Sequence, residues 1–248
     1  TIRSVLPKEL THRRPGHHDL MFHTWLRGSV PGASTILKEY FDAWYSAHPG
    51  HHPFEHDEIR DLDVHALKDL AKNNPRELAQ GSISAFKIAV DIIAAEGKER
   101  HDYSFKSRSR TGHHVGADAF LEVFRTALVE VAKGEPDTAR DMLRLLDPSK
   151  HEVIAHLWLE TIAANGKALK DLLNELLQIP HIFTAGWTGA EWMSFADAVK
   201  ATIEHLPPPE ASRVEGRILS YWPELKRAQD VAMRLAAGET EGIFLSRE

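Results

Sequence analysis

Apolar residues recur at helical spacing through most of the chain, and nowhere do they alternate for long enough to argue a sheet. Ile36, Leu37, Tyr40, Phe41 and Trp44 form one stripe and predict a helix over about 34–46. Val64, Leu67, Leu70 and Ala71 predict a short helix ending near Asn73. Pro75 suits the first position of the next helix, where its missing N–H has no partner to lose. Leu78, Ile83, Phe86, Val90 and Ile93 carry that helix to about Glu96, and Gly97 stops it. Phe120, Phe124, Leu128 and Val131 mark a helix over about 117–133, and a shorter one follows from Pro136 to about Leu146.

From Ser149 the pattern strengthens. Ser149 and Glu152 have the spacing of a capping box, in which each side chain satisfies a free N–H at a helix start. Val153, Ile154, Leu157, Trp158 and Ile162 supply the apolar face, and Asn165-Gly166 ends it. Leu169, Leu172, Leu173, Leu176 and Leu177 form the strongest stripe in the chain, on a partner helix over about 167–178 that stops at Pro180. The short Asn165-Gly166 link predicts that these two helices pack together. Further helices are expected over about 190–205, 209–221 and 223–237.

The first 60 residues differ. Half of the 16 histidines lie before residue 57, and Pro7, Pro15, Pro31, Pro49 and Pro53 leave room only for short helices, over about 18–27 and 34–46. The organisation expected is a His/Pro-rich N-terminal region over 1–60 and a helical array over 61–248. Helix-pair starts at 117, 149 and 190 are about 32 and about 41 residues apart, near the size of tetratricopeptide or HEAT units without a fixed period. The fold class expected is all-α, an irregular α-solenoid of stacked helix pairs. A single pair cannot bury its own apolar face, so neighbours must stack.

Composition narrows the chemistry. The 248 residues carry a formal charge of −6 and are 42% hydrophobic, enough for a sizeable core. The acidic balance argues against sequence-independent nucleic-acid binding, which uses a basic face. With no cysteine there is no disulfide, thiolate zinc site or cysteine nucleophile. A reducing, cytoplasmic location fits. No uninterrupted apolar run approaches the roughly 20 residues that span a bilayer, and no signal-peptide pattern opens the chain. The start at Thr1 and the stop at Glu248 read as a segment of a longer protein.

Four groups of residues could carry function. His48, His51, His52, Glu55, His56 and Asp57 gather zinc-type ligands, with His17, His18 and His23 upstream. Pro49, Gly50 and Pro53 break the helix that a His-Glu-x-x-His arrangement needs, so an exposed polar loop is the competing reading. His151 and His156 are five residues apart, about 140° around a helix, and do not share a ligand; His156 reads as a packed or surface histidine. Arg100, Lys106, Arg108 and Arg110 fall in one basic stretch over 98–116, where arginine forks suit a phosphate or an acidic protein and a merely solvated loop is the bland alternative. Trp187 and Trp192 flank Glu191, either as filler between helices or as a binding hot spot. No nucleophile elbow, phosphate-binding loop or dinucleotide fingerprint occurs, so this segment reads as non-enzymatic and without a cofactor.

Three stretches taken in order carry a resemblance: Arg110 to Ala119 (RTGHHVGADA), His151 to Gly166 (HEVIAHLWLETIAANG) and Ile182 to Ala196 (IFTAGWTGAEWMSFA). They resemble the helical region that follows the nucleotide-binding core of large bacterial STAND-type NTPases, a class that includes antiviral sensors. The resemblance covers residues 105–238 and carries over no catalytic residue. It implies a sensor or linker array whose ATPase motifs lie outside this segment. The function expected is a helical module that binds a protein partner or neighbouring domains of its own chain. A metal-dependent enzyme built on the His/Glu/Asp-rich N-terminal region is the alternative.

Overall fold

The computed structural model describes residues 32–54, 64–95, 105, 116–187, 190–221 and 232–233. These are mostly helical, and no strand occurs among them; the one β-type contact is an isolated bridge between Trp187 and Ala190. The expected all-α class is what forms. The helices are α1 (Ala33–Ala47), α2 (Val64–Asn73), α3 (Pro75–Ala95), α4 (Gly116–Gly134), α5 (Pro136–Arg144), α6 (Glu152–Ala164), α7 (Gly166–Leu176), α8 (Met193–Thr202) and α9 (Pro208–Tyr221), with a 3₁₀ turn at Ile203–His205. The expected helices over 18–27 and 223–237 fall on residues outside the described ones, apart from 232–233.

Three helix pairs share a local design. Asn74 alone separates α2 from α3, Glu135 alone separates α4 from α5, and Asn165 alone separates α6 from α7. Each linking residue closes the first helix with its N–H: Asn74 to Leu70 at 2.8 Å, Glu135 to Val131 at 2.6 Å, Asn165 to Ile162 at 3.1 Å. Each opens the second with its carbonyl, which accepts the N–H of Leu78, Ala139 and Leu169 respectively. Proline begins α3 and α5, where no N–H is missed. Asn165 adds a side-chain tie, its Nδ2 donating to the Ala132 carbonyl of α4 at 2.9 Å.

Thr1–His205 forms one unit and Leu206–Glu248 a second. In the first unit α2, α4, α6 and α8 pack each on the next, as do α1, α3, α5 and α7. The two rows are joined by α2 on α3, α4 on α3 and α5, α6 on α7 and α7 on α8. α6 lies between α4, α7 and α8, so Val153 through Leu159 are buried all round. That explains its weak amphipathicity, since a helix covered on every side has no polar face to keep. In the second unit, the Pro207 carbonyl accepts the N–H groups of Glu210 and Ala211 and starts α9.

The core has an aromatic end. Phe54, in non-helical chain after α1, packs on Phe86 of α3 at 5.0 Å, Phe120 of α4 at 5.3 Å and Phe105 at 5.4 Å. Phe41 of α1 meets Phe120 edge-on at 5.5 Å. The segment that follows α1 is thus pinned to the core despite its prolines and histidines. α1 itself crosses α3 closely at Gly81, where an added Cβ would lie 2.8 Å from Leu37 and from the Ser34 carbonyl. Glu77 of α3 accepts the Ser34 N–H at 3.0 Å and so caps α1 from outside.

α3 is 21 residues long and apolar enough to cross a membrane by length and composition alone. Lys87 and Asp91 interrupt its apolar run, which is why run length did not mark it. Most of its apolar residues are used in packing: Leu78, Ile83, Phe86, Val90 and Ile93 are all buried against α1, α2 and α4, whereas Ile88 is exposed.

A charged seam joins α5 to α7. Arg140 donates to both carboxylate oxygens of Asp171 at 3.2 Å and to the Ala168 carbonyl, and Arg144 pairs with Glu175 one turn on. Its bonds to Asp171 raise the pKa of the Arg140 guanidinium above its ordinary value.

Candidate functional site

The expected capping box does not form. Asp147 precedes Pro148, and its Oδ1 accepts both the N–H and the hydroxyl of Ser149, at 2.9 and 2.7 Å. Ser149 is therefore held in a local turn. The cap of α6 is His151, whose Nδ1 accepts the Val153 N–H at 3.0 Å. Glu152 instead shares the hydroxyl of Thr184, at 3.1 Å, with the His181 carbonyl in the chain after α7.

The two tryptophans singled out in the sequence part company. Trp187 is 5% exposed, and Trp192 is 54% exposed. Trp187 sits between two polar groups: the Arg125 guanidinium lies 5.1 Å from its ring centre, and His156 meets it edge-on at 4.8 Å. Trp192 immediately precedes α8 and is the residue before its first turn.

Beside Trp187 lies a polar network that crosses three helices. Arg125 of α4 forks onto Glu122, with bonds of 2.9 and 2.6 Å, and reaches Glu160 of α6 at 3.2 Å. Glu160 accepts the Ser194 hydroxyl of α8 at 2.7 Å. That hydroxyl has one hydrogen, so the contact from Ser194 to His156 at 3.3 Å has the Nδ1–H of His156 as donor. Burial works against the charge on Arg125, but its bonds to Glu122 and then Glu160 outweigh it and raise the guanidinium above its ordinary value. Ser194 and His156 are almost fully buried, and the side chains of Arg125 and Glu160 are 18% and 11% exposed. The arrangement can fix α4, α6 and α8 relative to one another; removing one charge from such a set leaves its partner buried and unmatched.

Two backbone bonds join Gly186 and Trp187 to Ala190 and Glu191. Gly186 N–H donates to the Glu191 carbonyl at 2.8 Å, and Ala190 N–H to the Trp187 carbonyl at 2.8 Å. Only glycine allows the first, because a Cβ at 186 would lie 2.0 Å from the Glu191 oxygen.

Sequence reasoning found the tryptophans and His156 but missed Arg125, Glu160 and Ser194. The available signal was Glu160, the one carboxylate in the mostly apolar run from Val153 to Ile162, which calls for a partner. Arg100, Lys106, Arg108 and Arg110 lie outside the described residues, as do His17, His18, His23, Glu55, His56 and Asp57. His48 stacks on Trp44 at 4.4 Å with its Nδ1 bonded to the Trp44 carbonyl, and His52 is buried beside Phe54. No group of three metal-binding side chains assembles among the described residues.

Comparison with protein-family models, with curated proteins and with solved structures returns no match.

Proposed function

We propose that this chain is a helical protein-interaction module of a larger cytoplasmic protein, and that its stacked pairs form an irregular α-solenoid. The repeated one-residue links and the row-on-row packing of α2 to α8 support the architecture. The resemblance of His151–Gly166 and Ile182–Ala196 to STAND-type helical regions supports a sensing or transmission role in such a defence NTPase. The basic residues Arg100, Lys106, Arg108 and Arg110 would steer an acidic partner toward the surface.

One observation carries the binding role: Trp192, the residue just before α8, presents an exposed indole. Tryptophan is among the residues enriched at binding hot spots. The test is a photo-crosslinking amino acid placed at 192 and, as control, at Lys68 on α2. The reading requires a protein captured from 192 and not from 68, and purified partner binding weakened about tenfold or more by Trp192→Ala, equivalent to about 1.4 kcal/mol. Equal capture from both positions, or unchanged affinity of Trp192→Ala, would overturn it.

A further inference from the structure

We infer that the start of α6 is a proton-sensitive latch: a proton taken up at Nδ1 of His151 releases the Val153 N–H and loosens the first turn of α6 while the rest of the helix stays formed. The direction of the bond fixes the charge state. The Val153 N–H can only donate, so Nδ1, 3.0 Å away, must hold a lone pair. His151 is 3% exposed, so an imidazolium there would sit in protein rather than in water. It would also put a positive charge at the helix end whose free N–H groups are already partly positive. One proton thus removes a hydrogen bond and adds two opposing effects at the same place. The cap is intact where an unfolded histidine is neutral, above about pH 6.5, and is lost as pH falls through the lower value at which the folded chain accepts the proton.

The charged groups that the described residues place around this turn are already engaged. Lys150, the residue before the cap, donates to Asp91 of α3, and Lys87 donates to the same carboxylate. Asp147 holds Ser149 by two bonds, and Glu152 accepts the Thr184 hydroxyl. From α5 and α7, Arg144 and Glu175 pair with each other. On the side of α4 and α8, Arg125, Glu122 and Ser194 meet α6 at Glu160, about 13 Å further along the helix axis. Phe105, edge-on to the His151 ring at 6.0 Å, carries no charge. His181 donates from Nε2 to the Pro148 carbonyl at 2.9 Å. That nitrogen donates in both the neutral and the charged ring, so acid leaves this second tie in place. The response to a proton therefore belongs to His151 and is confined to the turn that it caps.

Amide hydrogen exchange of the full chain, read residue by residue from about pH 8 to about pH 5, tests this. Each rate is divided by that of the same amide in an unstructured peptide at the same pH. The relative rate at Val153 is expected to rise about fivefold or more on acidification, while that at Leu157, one turn further into α6, changes by less than about twofold. His151→Asn keeps an oxygen that can accept the Val153 N–H but takes up no proton, so the rise should vanish in it. An unchanged relative rate at Val153 in the wild type overturns the latch. So does an equal rise at Val153 and Leu157, which is loss of the whole helix, and so does a rise that persists in His151→Asn. If His151→Asn does not fold, the ring nitrogens of ¹⁵N-labelled His151 decide in the wild type. Nδ1 must pass from unprotonated to protonated over the pH range in which Val153 loosens, and a ring that titrates elsewhere overturns the inference.

Discussion

Nδ1 of His151 accepts the amide hydrogen of Val153 at 3.0 Å and closes the start of α6. A histidine in this role is in its Nε2–H form, because a protonated Nδ1 has no lone pair to offer. Losing an N-cap acceptor costs typically about 1 kcal/mol. His151→Ala is expected to lower the unfolding free energy measured in urea by about that much, and His151→Asn to recover part of it. Ser149→Ala should change stability by less than about 0.5 kcal/mol, since its bonds lie within an exposed turn. A larger loss for Ser149→Ala than for His151→Ala would place the cap at Ser149.

This cap shows where sequence reasoning succeeds and where it stops. Helix existence was legible because apolar spacing and breakers act locally: Pro75, Pro136 and Gly166 open helices where a reading of the chain puts them, within a residue. The cap was not, because Asp147 competes for Ser149 and the outcome depends on the path set by Pro148. The polar network was less legible still. Arg125, Glu160 and Ser194 are separated by 35 and 34 residues, and nothing local in the sequence brings them together. The histidines illustrate the same limit, since His151 caps α6 while His156, within it, meets a tryptophan.

Leu173 on α7 is fully buried, as are Leu169 and Leu176 on the same stripe. α7 packs on α5, α6 and α8, so the stripe is enclosed from several sides. Leu173→Ala should cost roughly 2–5 kcal/mol, the range for a buried leucine whose site cannot collapse. Chemical denaturation with an unchanged slope checks this, and a loss under about 0.5 kcal/mol would contradict the packing.

Gly166 and Gly216 are both helical and should respond oppositely to alanine. At Gly166 a Cβ would lie 2.2 Å from the Ala201 carbonyl oxygen, which is backbone and cannot swing away. Gly166→Ala is expected to destabilise by about 1–3 kcal/mol, the usual cost of overpacking. At Gly216, within α9, nothing lies within 4 Å. There alanine gains helix propensity, and Gly216→Ala should stabilise by up to about 1 kcal/mol. Thermal melts of both variants separate close approach from a mere preference for glycine.

Asp91 on α3 receives hydrogen bonds from Lys150 and Lys87. Burial raises its carboxyl pKa, but the bonds from Lys150 and then Lys87 outweigh that and hold it below the ordinary value of 3.8. A depressed carboxyl contributes stability that is fully present above 3.8 and is lost as pH falls through the folded value. The stability difference between the wild type and Asp91→Asn should therefore be constant from neutral pH down to about that point and shrink below it. Added salt should shrink it as well, because the pair is partly exposed. A difference that does not vary with pH would mean that Asp91 acts through packing or neutral hydrogen bonds.

The two tryptophans five residues apart offer the sharpest contrast. Trp187 is 5% exposed and lies against Arg125 and His156. Trp187→Ala should cost about 3–5 kcal/mol, because it opens a cavity and removes the ring from beside a partly buried cation. Trp192 is 54% exposed, and Trp192→Ala should stay within about 0.5 kcal/mol of the wild type. Stability and partner affinity are thus expected to separate: Trp192→Ala folds normally and loses binding, whereas Trp187→Ala loses stability first. Paired denaturation and binding measurements on the two variants test this. A Trp192→Ala variant that unfolds as readily as Trp187→Ala would make Trp192 part of the core, and the recognition role would pass to another surface.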